Sequence, residues 1–210
     1  MGEPLLNYEN VMKSVDIMNA GMEIAARRIV ISTVGWVPGI LRMAEEKRKT
    51  KLALSLHSLD EKIRTMLMPV NKKYSLEETL RAVEQYYKKT KCRPTFEYIL
   101  FDGVNDREED IARLVKLAKK IPCKVNIIPF HSIAFTLPHG IGAALRPSSV
   151  RRMDEFVERL RKAHVTVFVR SSAGEDIDAA CGQLAVKYEK TSNGKNRHAQ
   201  QLAIQNFQPV

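Results

Sequence analysis

Four short polar clusters stand at the ends of apolar runs: Ser32-Thr33-Val34-Gly35, Ser55-Leu56-His57-Ser58, Asp102-Gly103-Val104-Asn105-Asp106 and Pro129-Phe130-His131-Ser132. Hydroxyls, an imidazole, carboxylates and small residues gathered on one rim can bind a polar small molecule. Each cluster taken singly has a plainer explanation, because Ser, Gly, Asn and Asp also build strand-to-helix turns and helix caps. Two further positions invite chemistry. Gly2-Glu3-Pro4 can present a carboxylate to an amine or simply make a turn, and Cys181 lies in Asp176-Ile177-Asp178-Ala179-Ala180-Cys181-Gly182-Gln183-Leu184. A cysteine between alanines and a glycine is ordinarily a small buried residue, and becomes reactive only in a special environment. His57, in the alternating stretch Leu52 to His57, reads equally as a packed histidine or as a ligand.

The elements that must hold these residues follow from hydropathy. Apolar runs at 29–31, 52–56, 96–101, 125–128 and 165–169 are short and nearly continuous, which predicts strands buried on both faces. Between them, Leu76, Leu80, Val83 and Tyr87 share one helical face behind a capping box of Ser75 and Glu78. A helix after Asp106 and Glu109 turns Ile111, Leu114, Val115 and Ala118 inward. Another, opened by Ser148, carries Met153, Phe156, Val157 and Leu160 on its apolar stripe and leaves Arg151, Arg152, Arg159 and Arg161 outside. Residues 9–19 and 38–47 also read as helices. Strands alternating with helices predict an α/β fold with a parallel sheet, open or curled toward a barrel, and a functional face at the C-terminal strand ends.

Composition bounds the partners. The 210 residues include 34 Lys plus Arg and 24 Asp plus Glu, a formal net charge of +10 spread along the chain. A basic surface fits nucleic acid, an anionic membrane or phosphorylated substrates, and equally fits mere solubility. With 44% hydrophobic and 28% charged residues the chain is globular in composition. No apolar run approaches the roughly 18 residues of a membrane span, and no signal-peptide pattern opens the chain, so a cytoplasmic location is expected. Cys92, Cys123 and Cys181 are odd in number and far apart, which argues against a disulfide framework and against a C-x-x-C metal pair.

Together, Met1-Gly2-Glu3-Pro4-Leu5-Leu6-Asn7, Ile31-Ser32-Thr33-Val34-Gly35, Leu54-Ser55-Leu56-His57-Ser58, Leu67-Met68-Pro69-Val70-Asn71 and Asp176 to Leu184, in this order, closely resemble the radical S-adenosylmethionine adenine-C2 RNA methyltransferases of the RlmN and Cfr type. Phe96-Glu97-Tyr98-Ile99-Leu100 and Val125-Asn126-Ile127-Ile128-Pro129 fit as well. The match runs from Met1 to about Lys187. It implies a partial (βα)6 barrel with parallel strands alternating with helices and a methyltransferase core over 1–188. Beyond it the apolar pattern dissolves into Glu189-Lys190-Thr191-Ser192-Asn193-Gly194 and a Gln-rich end, which reads as a polar, flexible tail over 189–210. By resemblance, Gly2 and Glu3 meet the amino group of S-adenosylmethionine, and Ser32, Ser55, Leu56 and His57 contact the rest of it. His131 stands where many members carry a cofactor-touching asparagine. Cys181 matches the cysteine that receives a methyl from one cofactor molecule, while a second is cleaved to a radical that activates the methyl for addition to adenine. Adenine C2 is electron-poor, so ordinary polar methyl transfer fails there. The implied substrates are 23S rRNA and tRNA.

The family's C-x3-C-x2-C motif, which binds a [4Fe–4S] cluster, has no counterpart in the sequence. The expectation is therefore a C-terminal catalytic portion whose N-terminal strands and cluster ligands are missing. A missing N-terminal half, or self-association through the exposed sheet edge, would then complete it. The alternative is a truncated, non-catalytic remnant that binds RNA or a protein partner.

Overall fold

The computed structural model describes residues 2–130 and 144–170. Strands and helices alternate, except that two helices stand between the second and third strands. A 3-10 turn Pro4–Asn7 leads into α1 (Tyr8–Gly21), then β1 (Val30–Thr33), α2 (Val37–Glu45), β2 (Lys51–Ser55), α3 (Glu61–Leu67), a 3-10 turn Pro69–Lys72, α4 (Leu76–Thr90), β3 (Thr95–Leu100), α5 (Glu108–Lys120), β4 (Lys124–Pro129), α6 (Val150–Lys162) and β5 (Val167–Val169). The five strands form one parallel sheet in the order β1-β2-β3-β4-β5, each strand beside its sequence neighbour. His131, Cys181 and the expected tail lie outside the described residues.

The helices form where capping and apolar spacing coincide. Ser75 caps α4, with its hydroxyl accepting from the Glu78 N–H while the Glu78 carboxylate accepts from the Ser75 N–H. The helix expected after Asp106 starts slightly later, with Asp110 accepting from the Arg107 N–H. The last helix is capped by Ser149, and Ser148 instead donates to Asp106. α3 was not expected from periodicity. It is a short helix set by Asp60, whose carboxylate accepts from the Lys62 and Ile63 N–H groups, and it ends just ahead of Pro69.

Strand residues alternate between two unlike faces. Ile31, Leu52, Leu54, Phe96, Tyr98, Leu100, Val125, Ile127 and Val167 point to the buried side. There they join one core with Ile40 and Met43 of α2, Val83 and Tyr86 of α4, Ile111 and Leu114 of α5, and Phe156 and Leu160 of α6. Tyr98 stacks on Phe156 with centroids 6.0 Å apart, and the Tyr86 hydroxyl donates to the Thr50 carbonyl just before β2. The opposite face is open among the described residues: Ser32, Ser55, Thr95, Glu97, Lys124, Asn126 and Phe168 are exposed or half-buried, and the small Ala53 is buried. Among the described residues the expectation of strands buried on both faces therefore fails for one face. The apolar runs 52–56, 96–101 and 125–128 each carry one polar residue in the open phase, Ser55, Glu97 and Asn126.

A glycine controls how the N-terminal segment joins this layer. A Cβ on Gly39 would lie 2.6 Å from Leu5 Cβ, so only glycine lets the turn Pro4–Asn7 settle onto α2 with Leu5 in the core. That contact sets the position of Glu3.

Leu54 is fully buried at the middle of the covered face. Leu54→Ala is expected to lower unfolding free energy by roughly 2–5 kcal/mol through lost transfer energy and a cavity, read as a lowered urea midpoint with an unchanged denaturant slope.

Candidate cofactor site at the C-terminal strand ends

Register determines which polar residues meet on the open face. Ser32 pairs with Ala53 across β1 and β2; Ser55 pairs with Glu97, and Glu97 with Asn126, across β2, β3 and β4. Ser55, Glu97 and Asn126 thus form one transverse row, with Phe168 continuing it on β5. Ser32 is exposed and Ser55 half-buried. Glu97 and Asn126 were read only as parts of matching segments, yet their phase, opposite to Phe96 and Tyr98 and to Val125 and Ile127, carries the signal that they face the site.

The loop after β1 is held by charges from two sides. Glu3 places Oε1 on the Leu5 N–H at 3.0 Å and Oε2 on the Val34 N–H at 2.8 Å. Arg64, fully buried, donates through Nη2 to the Val34 carbonyl at 2.9 Å and through Nη1 to Asn71 Oδ1. The Val34 peptide is therefore gripped at both its N–H and its carbonyl sides. Asn71 in turn donates to Glu61 at 2.7 Å and to Thr65 at 2.8 Å, and Glu61 accepts from the Leu76 N–H at the start of α4. Burial pushes the Arg64 pKa down to about 10, and its Nε is enclosed without a partner among the described residues. Gly35 is obligatory beside it. Its φ of +111° suits glycine, and a Cβ would lie 3.2 Å from Arg64 Nη2 and 3.0 Å from Thr79 Cγ2. Sequence reasoning missed Arg64 and Asn71, because an arginine on a short polar helix looks like a surface residue.

His57 follows β2 in the left-handed region, at φ +55°. Its backbone N–H donates to the Glu97 carbonyl at 3.2 Å, and its Nδ1 accepts the Ile99 N–H at 3.2 Å. An Nδ1 that accepts leaves the ring proton on Nε2, so the imidazole presents one fixed N–H donor. Burial, and secondarily the charge of Arg64, pushes its pKa down to about 4. His57 is a neutral donor at physiological pH rather than an acid–base group. Leu56 keeps its side chain in the core, its N–H on the Glu97 carbonyl and its carbonyl on the Ser58 N–H. Gly2 is exposed.

The Asp102 to Asp106 cluster is scaffolding. Buried Asn105 donates through Nδ2 to the His57 carbonyl at 2.6 Å and the Ile99 carbonyl at 2.7 Å, and accepts the Phe101 N–H at 2.7 Å. It staples the end of β3 to the loop carrying His57. Asp106 accepts from the Gly103 N–H and the Ser148 hydroxyl. Three of the four arginines of α6 are engaged: Arg151 pairs with Glu155 within the helix, and Arg152 and Arg159 both pair with Glu108 of α5, while Arg161 is exposed. Arg152 and Arg159 hold the two helices together and are poor candidates for a free cationic face.

The described thiols do not suit an iron–sulfur cluster. Cys92 and Cys123 directly precede β3 and β4, at the rim opposite the polar row. The Cys92 thiol donates toward the Lys49 carbonyl, and burial pushes the Cys123 thiol up to about 11, against the thiolate that metal binding needs. Among the described residues no three His, Cys, Asp or Glu side chains gather in a metal-binding group.

Comparison with known proteins agrees with this fold. Residues 1–115 match the sequence pattern of the Radical SAM superfamily. A probable dual-specificity RNA methyltransferase RlmN of Akkermansia muciniphila is 39% identical over 197 residues, covering 93% of this chain and 53% of that protein. The protein of the same name from Caldanaerobacter subterraneus is 44% identical over 191 residues, covering 90% and 54%. The crystal structure of a radical SAM methyltransferase from Sphaerobacter thermophilus superposes with a TM-score of 0.76 at 42% identity, covering 87% of this chain and 52% of that one. The chain spans about half the length of the curated relatives it matches.

Two outcomes follow from the His57 loop. An imidazole with a lowered folded pKa withholds a proton that the unfolded chain binds. Its contribution is therefore complete above about pH 6.5 and is lost as pH falls toward 4, a total of up to about 3 kcal/mol. Urea midpoints measured from pH 7.5 to 4.5 should fall more steeply for the wild type than for His57→Gln. Asn105→Asp turns a carboxylate toward the His57 and Ile99 carbonyls, and should cost about 3 kcal/mol or more in the same assay at neutral pH.

Proposed function

This chain belongs to the radical SAM superfamily, and from that premise we propose that it is the cofactor-binding and methyl-carrying portion of an RNA methyltransferase acting on adenine C2 of 23S rRNA and tRNA. The observation that carries the reading is the placement of Ser32, Ser55 and His57 together at the C-terminal end of the open sheet face, beside the Glu3 clamp. These are the positions at which the sequence resembles the family's cofactor contacts. The printed names of the relatives, RNA methyltransferases of dual specificity, support the same class of reaction and substrate.

The chain's own groups suit such a ligand. Glu3 spends one lone pair of each carboxylate oxygen on a backbone N–H and retains others, enough to take an ammonium group from the open side. Ser32 and Ser55 offer hydroxyls, and His57 offers an Nε2–H that burial keeps from becoming a cation. S-adenosylmethionine supplies the methyl group and the superfamily's radical chemistry. Gly2 and, in the segment outside the described residues, His131 complete the proposed contacts. Cys181, also outside them, is the sulfur assigned to carry the methyl. No step is assigned to a cluster, because the described thiols do not fit one. That misfit favours a second reading, a chain that binds RNA or a protein partner without redox chemistry of its own. No described helix is long and apolar enough to cross a membrane. The proposed RNA substrates support the reading of a cytoplasmic protein.

Titration calorimetry of the 210-residue chain with S-adenosylhomocysteine tests the site. Saturable binding is expected, weakened at least tenfold by Ser55→Trp, which fills the open face; no binding, or binding indifferent to that change, overturns the assignment. For the methyl carrier, the chain is joined to a segment that supplies the C-x3-C-x2-C motif. Mass spectrometry should then find Cys181 methylated, and Cys181→Ala should abolish adenine methylation. An active Cys181→Ala variant would show that the sulfur lies elsewhere.

A further inference from the structure

Trp36, the only tryptophan of the chain, stands at the N-cap of α2 just after β1 ends. Tyr74 stands immediately before Ser75, the N-cap of α4. Trp36 follows the C-terminal end of β1 directly and therefore belongs to the rim that carries the candidate site, and Tyr74 is brought to the same rim by its contact with Trp36. They meet edge to face, with centroids 5.3 Å apart at 88°. The Lys73 ammonium lies 4.6 Å from the Trp36 centroid and 5.8 Å from that of Tyr74. Lys72 and Lys73 are exposed, and both rings are half-buried.

The charge around this pair is one-sided. From Lys62 to Tyr74 the sequence holds Lys62, Arg64, Lys72 and Lys73 and no carboxylate. Carboxylates flanking the stretch are engaged: Asp60 on the first turn of α3 and on Arg113, Glu61 on Asn71 and the Leu76 N–H, Glu77 on Arg81, and Glu78 on Ser75. Among the described residues no carboxylate pairs with Lys72 or Lys73. Lys73 rests on aromatic rings instead, an arrangement that leaves its charge available to a phosphate.

We propose that Trp36, Lys72, Lys73 and Tyr74 form a docking platform for unpaired RNA beside the mouth of the site. The lysines take backbone phosphates, and the ring surface released as Lys73 swings outward stacks a base. An acidic peptide would satisfy the lysines and leave the rings unused; a nucleotide uses both. The inference rests on the RNA methyltransferase reading and specifies its substrate-contacting surface.

The test is direct, because Trp36 alone reports tryptophan emission. The 210-residue chain is titrated at low salt with a single-stranded, adenine-containing oligoribonucleotide. Trp36 emission should be quenched on binding. Lys72→Glu with Lys73→Glu should weaken affinity at least tenfold and flatten the salt dependence by roughly 1.4 log units per log unit, at about 0.7 for each phosphate contact on a single strand. Tyr74→Leu should weaken binding severalfold while leaving the salt slope intact. Absence of binding overturns the platform, as does binding without a Trp36 response, binding unaffected by the lysine changes, or an equal Trp36 response to heparin. The urea midpoint of each variant shows that it is folded. S-adenosylhomocysteine binding, measured alongside, should be unchanged in these variants. Its loss in the wild type with RNA quenching retained would sink the methyltransferase reading and leave the platform standing; the reverse result would sink the platform alone.

Discussion

Among the described residues helices cover the parallel sheet on one side only, and this imposes a rule on every strand residue: the phase of the two-residue pleat decides whether it enters the core or the open face. Leu52 and Leu54, Phe96 and Tyr98, and Val125 and Ile127 take the covered phase. Ser55, Glu97 and Asn126 take the other, and register aligns them into a row. A slip of one residue in β2, β3 or β4 would drive a hydroxyl, carboxylate or amide into a dry interior, so burial of the apolar set simultaneously fixes the polar set. The core is in this sense the positioning device of the site.

Beyond the strand ends, backbone conformation is set by buried polar side chains rather than by apolar packing. Glu3 and Arg64 hold the Val34 peptide from opposite sides, and Asn105 holds the carbonyls of His57 and Ile99. Both arrangements join segments distant in sequence, and both replace solvent as hydrogen-bond partner to loops that must leave their outer surface free for a ligand. The fully buried guanidinium of Arg64 lacks a direct carboxylate partner among the described residues, and is compensated instead through carbonyl acceptors and a chain of hydrogen bonds leading to Glu61. Such a network is costly to break at any single member.

Much of this was legible beforehand, and the exceptions have physical reasons. The helix over 76–90 announced itself because capping chemistry and apolar spacing agree at Ser75, Glu78 and Val83. Strand-end clusters point to the rim where Ser55, His57 and the Glu3 clamp gather, since parallel βα units place their loops there. The one-sided sheet was hidden because β-branched and aromatic residues fill so much of each run that the interleaved Glu97 and Asn126 look incidental. Arg64 was hidden because its partners Val34 and Asn71 approach only in three dimensions. The outer face expected for the α6 arginines holds for Arg151, Arg159 and Arg161, while Arg152 is half-buried. Pairing with Glu108 across to α5 is information about helix packing that no stretch of α6 contains.

The sequential strand order has a kinetic consequence. Each strand pairs with the one before it through a single crossover, so no pairing waits for a distant part of the chain to be synthesised. The loop-closure entropy of each step is that of one βα unit, not of the whole domain. A nascent chain leaving the ribosome can therefore dock β2 on β1, then β3 on β2, extending a sheet whose growing edge is always the most recently made. Assembly can follow the direction of translation, and the intermediate awaiting its next strand is a smaller version of the same sheet rather than a misfolded competitor to it.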